Sequence, residues 1–114
     1  MQRSPEEVFT RHLDALSRRD VGALITDYAP DALILTQQGA LQGTGGAEQF
    51  YRQAFEAMPD VEFTVQWTVF AGHVVMAGWS AAASAGNVDN GVDTLTFTDG
   101  VISLHASSFT IEPH

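Results

Sequence analysis

The sequence predicts an α+β domain in which three N-terminal helices pack in the concave face of a curved, mostly antiparallel sheet. Three observations carry that prediction. The 114 residues fit one domain, 1–114, with no stretch that reads as a linker. Apolar residues recur at helical intervals up to Pro59 and at intervals of two after Asp60. The strand-rich half is punctuated by Gly72, Asn90-Gly91 and Asp99-Gly100, the residues of tight turns. With 45% hydrophobic and 17% charged residues the chain has material for a core, which excludes a disordered segment.

The elements follow in order. Ser4-Pro5-Glu6-Glu7 is a helix start, with Ser4 as N-cap, Pro5 in the first turn and Glu7 completing a capping box. Val8, Phe9, Leu13 and Leu16 continue the helix to about Arg18, with His12 on the same stripe. Asp20 caps a second helix whose Val21, Leu24, Ile25 and Tyr28 share a face until Pro30. Ala32–Thr36 reads as a strand, followed by a brief one around Leu41. Thr44 is expected to cap the third helix, whose stripe of Ala47, Phe50, Tyr51, Ala54, Phe55 and Met58 ends at Pro59. Val61, Phe63, Val65, Trp67 and Val69 then alternate with polar residues as one half-buried strand. His73–Ala85, Val92–Thr98 and Val101–Ile111 complete a meander, with hairpin turns expected at Asn90-Gly91 and Asp99-Gly100.

Composition removes several kinds of chemistry. There is no cysteine, so disulfides, thiolate nucleophiles and cysteine metal sites are out. There is no lysine, which removes Schiff-base chemistry. Five arginines against fourteen acids give a net charge of −9, and every arginine lies at or before Arg52. Residues 53–114 would repel phosphate backbones and anionic lipids, so neither nucleic acid nor a membrane is an expected partner. No run of about 18 apolar residues suggests a span, and MQRSPEEVF lacks an apolar leader core, so the expected location is cytoplasmic. No cofactor is expected. His73, His105 and His114 are too far apart to suggest a metal site. Gly43-Thr44-Gly45-Gly46 lacks the spacing and lysine of a phosphate loop, and Ala82–Gly86 lacks the helix that a nucleophile elbow needs.

Four stretches together resemble a known superfamily. They are His12-Leu13-Asp14-Ala15-Leu16 ending in Asp20, Tyr28-Ala29-Pro30-Asp31-Ala32, Gly43-Thr44-Gly45-Gly46-Ala47 before Phe50-Tyr51, and Val92 through Ile102. Their order and spacing are similar to the nuclear-transport-factor-2-like cone fold, and within it to the SnoaL-like and ketosteroid-isomerase-like proteins. The resemblance implies the fold and a cavity, and no particular reaction, because this fold hosts isomerases, cyclases, dehydratases and members without chemistry. The family's isomerase uses an aspartate base on the first strand, a tyrosine donor on helix one and a protonated aspartic acid on a later strand. The base position falls here on Thr36 and the tyrosine on His12, so that mechanism is not expected. The third position is retained as Asp93, and two supporting tyrosines match Tyr28 and Tyr51.

Asp93 alternates with Leu95 and Phe97, which sets a carboxyl group on an apolar face. Either it faces a ligand, where burial would favour a neutral, hydrogen-donating acid, or it is solvated at a strand end. His12 is a candidate general base or a satisfied core histidine. Tyr28 and Tyr51 are expected on buried helix faces, with hydroxyls that need partners. Phe55, Met58, Met76 and Leu104 are expected to line the cavity with them, and Ser80, Ser84 and Ser108 to reach the concave side. His73, His105, Trp79 and Phe109 are expected on the convex side, where an apolar stripe calls for a second copy of the chain. The expected function is binding of a small apolar molecule in a cavity of about 300 Å³, reaction unassigned. The alternatives are an acid–base enzyme using Asp93 and His12 on a small oxygenated substrate, and a structural dimerisation domain.

Overall fold

The structure, a computed structural model, describes residues 3–114. Helix α1 spans Pro5–Ser17 and carries the capping box: Ser4 Oγ accepts from the Glu7 N–H, and the Glu7 carboxylate accepts from the Ser4 N–H. Helix α2 covers only Val21–Ile25, capped by Asp20. Tyr28 therefore does not sit on a helix; it opens strand β1, Tyr28–Thr36. The register of β1 slips between Tyr28 and Leu33, and that irregularity accommodates Pro30, which has no N–H to give to a ladder. Strand β2, Gly39–Gln42, returns along β1 and leads into α3, Gly43–Ala57. Its N-cap is Gln42 without a side-chain bond, so Thr44 does not cap it.

Strands β3, Glu62–Ala71, β4, Val74–Ala82, β5, Gly86–Thr98, and β6, Val101–Ser108, form the meander; β7, Glu112–Pro113, pairs with β5. The order across the sheet is β2-β1-β6-β5-β4-β3, antiparallel except where β1 runs parallel to β6. The β4–β5 turn lies at Ala83–Gly86, where the backbones of the two residues exchange hydrogen bonds. Asn90-Gly91 is not a turn: β5 runs through it, with one extra residue opposite Trp79–Ala81, a bulge. Gly91 is needed there for space. A Cβ on it would come within 2.2 Å of the Trp79 indole, which lies across that position.

Two further bulges decide which residues face the helices. Between Val65 and Trp67 an extra residue in β3 breaks the alternation, so Phe63 and Val65 face the helices while Trp67 lies over Gly78 on the convex side. Between Ile102 and Leu104 an extra residue in β6, Ser103, shifts the pairing with β5 by one. Leu104 thereby turns outward and His105 inward. The inner face, with Ile34, Val75, Ala77, Leu95, Phe97 and Ile102, packs on Val8, Phe9, Leu24, Ala47 and Tyr51 as the main core. Among the described residues no helix is long and apolar enough to cross a membrane.

Candidate functional site

Sheet register assembles the site. Ala77 pairs with Asp93 and Asp93 with Ser107, one row across β4, β5 and β6; Val75, Leu95 and His105 form the next. Both rows face the helices, and all of their residues except Val75, which is core, bound a hollow of about 80 Å³. Its helical wall is Phe9, His12, Leu13 and Leu16 from α1 and Phe50, Tyr51, Ala54, Phe55 and Met58 from α3. Its sheet wall adds Phe63, Val65, Trp79 and Phe109. The hollow is smaller than the size expected from sequence, because the aromatic side chains fill much of the cone. An open groove of about 840 Å³ adjoins it, running between the β1–β2 turn, the second half of α3 and Phe109–Ile111. Phe50, Ala54, Met58 and Phe109 border both spaces, so the groove and the hollow adjoin along these side chains.

Asp93 is the acid of this wall, its side chain 22% exposed. Its Oδ1 accepts from Trp79 Nε1 at 3.0 Å and from Ser107 Oγ at 2.7 Å, and its Oδ2 pairs with His105 Nε2 at 2.8 Å. Burial pushes the carboxyl upward, but the charge and hydrogen bond of His105, with the Ser107 and Trp79 donors, outweigh it and hold Asp93 below its ordinary value. Three donors and this downward shift favour the ionised, accepting form of the group. A carboxylate has about four lone-pair positions. Three are used among the described residues, which leaves one open.

Behind His105 the polar groups continue through the core. His105 Nδ1 lies 2.8 Å from the Tyr28 hydroxyl, Tyr28 2.6 Å from the Tyr51 hydroxyl, and Tyr51 2.8 Å from His12 Nε2. His12 Nδ1 is 3.1 Å from Asp27 Oδ2, and Asp27 Oδ1 pairs with Arg11, whose side chain reaches the surface. Both tyrosine hydroxyls are pushed far above the ordinary range by burial and remain protonated. Burial also lowers His12, with the nearby His105 charge acting in the same direction and Asp27 opposing. The consequence for stability has a definite sign. A histidine lowered on folding leaves the unfolded chain binding more protons, so stability falls as pH drops below about 6.5; lowered Asp93 adds a second loss below about 3.8. Urea midpoints measured across that range are expected to fall continuously toward acid, and a flat profile from pH 7 to 4 would contradict this.

The structure brings together Asp93, His12, Tyr51, Phe55, Met58 and Leu95 at the hollow. Tyr28 is buried one hydrogen bond behind it, and Phe97 is core below it. Thr36 is the last residue of β1, where its hydroxyl accepts from the Gln38 N–H of the following turn, on the rim of the outer groove. Met76, 43% exposed, and Leu104 lie on the opposite face and line neither space. The expected convex placement of His105, Trp79 and Phe109 is overturned: all three line the hollow. Ser107, not Ser108, is the serine of the site; Ser84 and Ser108 are exposed. Asp27 was not singled out at all, although a carboxylate before Tyr28 and fifteen residues after His12 ends the network. Among the described residues no three His, Cys, Asp or Glu side chains group as a metal site would require.

Comparison with known proteins agrees with this architecture. No curated protein matches the sequence. Among solved structures, the candidate hydroxylase AclR from Streptomyces galilaeus superposes with a TM-score of 0.82 at 16% identity, over 96% of this chain and 80% of that one. A candidate ketosteroid isomerase from Kribbella flavida gives 0.80 at 17%, over 96% and 80%, and a candidate polyketide cyclase from Sinorhizobium meliloti gives 0.77 at 19%, over 89% and 93%. Identities this low speak for a shared fold and not for a shared reaction. The model of the SnoaL-like domain matches residues 9–105, from the first turns of α1 to the histidine beside Asp93, and the chain belongs to that family.

Proposed function

We propose that the chain binds a small, largely apolar molecule bearing a hydroxyl or enol, with the ring system in the hollow and the hydroxyl donating to Asp93. The observation that carries this reading is a carboxylate held by three donors in a largely hydrocarbon and aromatic wall, with one acceptor position unspent among the described residues. Few convergent polar groups in an apolar concavity are what orient small ligands elsewhere. Phenol and toluene have nearly the same shape and differ in that donor. In NMR titrations of the protein, phenol is expected to shift the Trp79 indole N–H and to bind at least tenfold more tightly than toluene. Asp93→Ala is expected to erase the difference. Equal binding of the two by the unaltered protein would overturn the proposal.

An acid–base reaction is the second reading, and the pairing of Asp93 with His105 favours it. A carboxylate that accepts a ligand proton beside an imidazole that can carry charge is a workable arrangement for enolisation. His12, the base expected from sequence, would act at the far side of the two tyrosines.

The proposed partner is a second copy of the chain. Leu33, Leu35, Trp67, Val69, Val74 and Met76 are all exposed on the convex sheet face, Trp67 to 44% and Val69 to 59%. Exposed apolar side chains on β1 and on the β3–β4 edge of one sheet face are what a subunit interface covers. Sedimentation is expected to give a dimer that Trp67→Glu converts to a monomer. A monomeric parent protein at micromolar concentration would contradict it.

A further inference from the structure

The polar chain through the core has a countable number of protons. Five hydrogen bonds join Asp27 to Asp93 by way of His12, Tyr51, Tyr28 and His105, at 3.1, 2.8, 2.6, 2.8 and 2.8 Å. Each imidazole uses both ring nitrogens, and each tyrosine oxygen sits between two partners. One proton is needed per link, five in all. The tyrosines bring two and two neutral imidazoles bring two more, so with both carboxylates ionised the count is one short. A fifth proton makes one histidine an imidazolium. A sixth would place two protons in one link.

Two arrangements satisfy the count. With the extra proton on His105, His105 donates to both Asp93 and Tyr28, Tyr28 to Tyr51, Tyr51 to His12 Nε2, and His12 Nδ1 to Asp27. With it on His12, every bond between the two rings reverses. Charge decides the resting state. Asp27 already has Arg11, whereas among the described residues Asp93 has the neutral donors Trp79 and Ser107 besides His105. The extra proton therefore rests on His105.

We infer that the buried chain is a two-state proton wire that holds one shared proton and couples Asp93 to the Arg11–Asp27 end of the core. In the shift, the N–H bond at His105 Nδ1 breaks and its proton passes to the Tyr28 oxygen. The Tyr28 proton passes to Tyr51, and the Tyr51 proton forms a new N–H bond at His12 Nε2. No proton is gained or lost, and one positive charge moves from ring to ring. When Asp93 takes a proton, the cation beside it loses its counter-charge and the shifted state becomes the favoured one. Asp93 is thus a weaker base with the charge on His105 and a stronger one with it on His12. Tyr28, Tyr51 and His12 are positioning residues in this scheme. The inference concerns the protein without ligand and stands apart from what the hollow binds.

The test is the protonation of the two rings, read from their ¹⁵N chemical shifts in His73→Gln, His114→Gln protein near neutral pH. His12 and His105 are expected to hold three ring protons between them. Tyr51→Phe splits the chain into Asp27–His12 and Tyr28–His105–Asp93, and each part is fully satisfied with neutral imidazoles. The variant is therefore expected to hold two ring protons, and Tyr28→Phe likewise. Two neutral rings in the parent protein would overturn the inference without any variant. An unchanged imidazolium in folded Tyr51→Phe would overturn it as well, since a simple His105–Asp93 ion pair does not depend on Tyr51.

Discussion

Asp27→Ala is expected to destabilise the fold by about 1–3 kcal/mol, the range found when a buried hydrogen-bond donor is left without its partner. Asp27 is 1% exposed and accepts from both Arg11 and His12. Alanine leaves His12 Nδ1–H without an acceptor in a dry core and leaves a void between α1 and β1. The Arg11 guanidinium is half exposed and can turn to water, so its own loss is the smaller part. Asp27→Asn keeps an acceptor oxygen for His12 and is expected to cost less than alanine. Against a total stability of about 5–15 kcal/mol for a domain, the alanine loss is a measurable fraction of what holds the fold. Denaturant titration of the two variants measures this, and a loss under about 1 kcal/mol for alanine would show that the carboxylate is not structural.

Gly91→Val is expected to damage stability and site together. Gly91 is not among the left-handed glycines, so valine meets no backbone strain; it meets the indole of Trp79. Overpacking of this kind costs about 1–3 kcal/mol, and displacing the indole also forfeits its bond to a carboxylate, worth about 1.5–3 kcal/mol. Trp79 fluorescence is expected to shift to the red as the ring leaves the wall, and phenol binding to weaken at least tenfold. Thr94→Val on the outward side of the same strand should do neither. A Gly91→Val protein with native fluorescence would mean that the indole has room to spare.

Much of this arrangement is legible in the sequence, and what is not has one physical origin. The capping box at Ser4–Glu7, the α3 stripe ending at Met58 and the Asp99-Gly100 turn are local signals, each set by residues within a turn or two, and each is found where local chemistry puts it. Sheet faces are different. A strand has a period of two, so one inserted residue exchanges its faces beyond that point. Counting back from Asp99-Gly100 without the Ser103 bulge pairs Leu95 with Leu104, sends both inward and turns His105 out. The bulge pairs Leu95 with His105 instead, and the histidine reaches Asp93. The bulge in β3 likewise divides Phe63 and Val65 from Trp67 and Val69, which a strict alternation would keep together. Nothing local marks either bulge. A cue for the site was nonetheless present: Asp93 on an inward face needs a cation, β4 and β5 offer none, and His105 is the titratable group on β6 that can supply it. The Asn90-Gly91 pair misled for a related reason, since glycine serves the close approach of an indole there and not a turn.

The titration of the Asp93 side chain, followed by the ¹³C shift of its carboxyl carbon, bears most directly on the site. With His105, Ser107 and Trp79 around it, the carboxyl is expected to stay ionised through neutral and mildly acid pH and to take up its proton only below 3.8. His105→Leu should move that midpoint upward, because burial then acts without its opposing cation. An Asp93 that is already protonated at neutral pH, or that titrates at an ordinary value unaffected by His105→Leu, would contradict the acceptor role on which the proposed binding site rests.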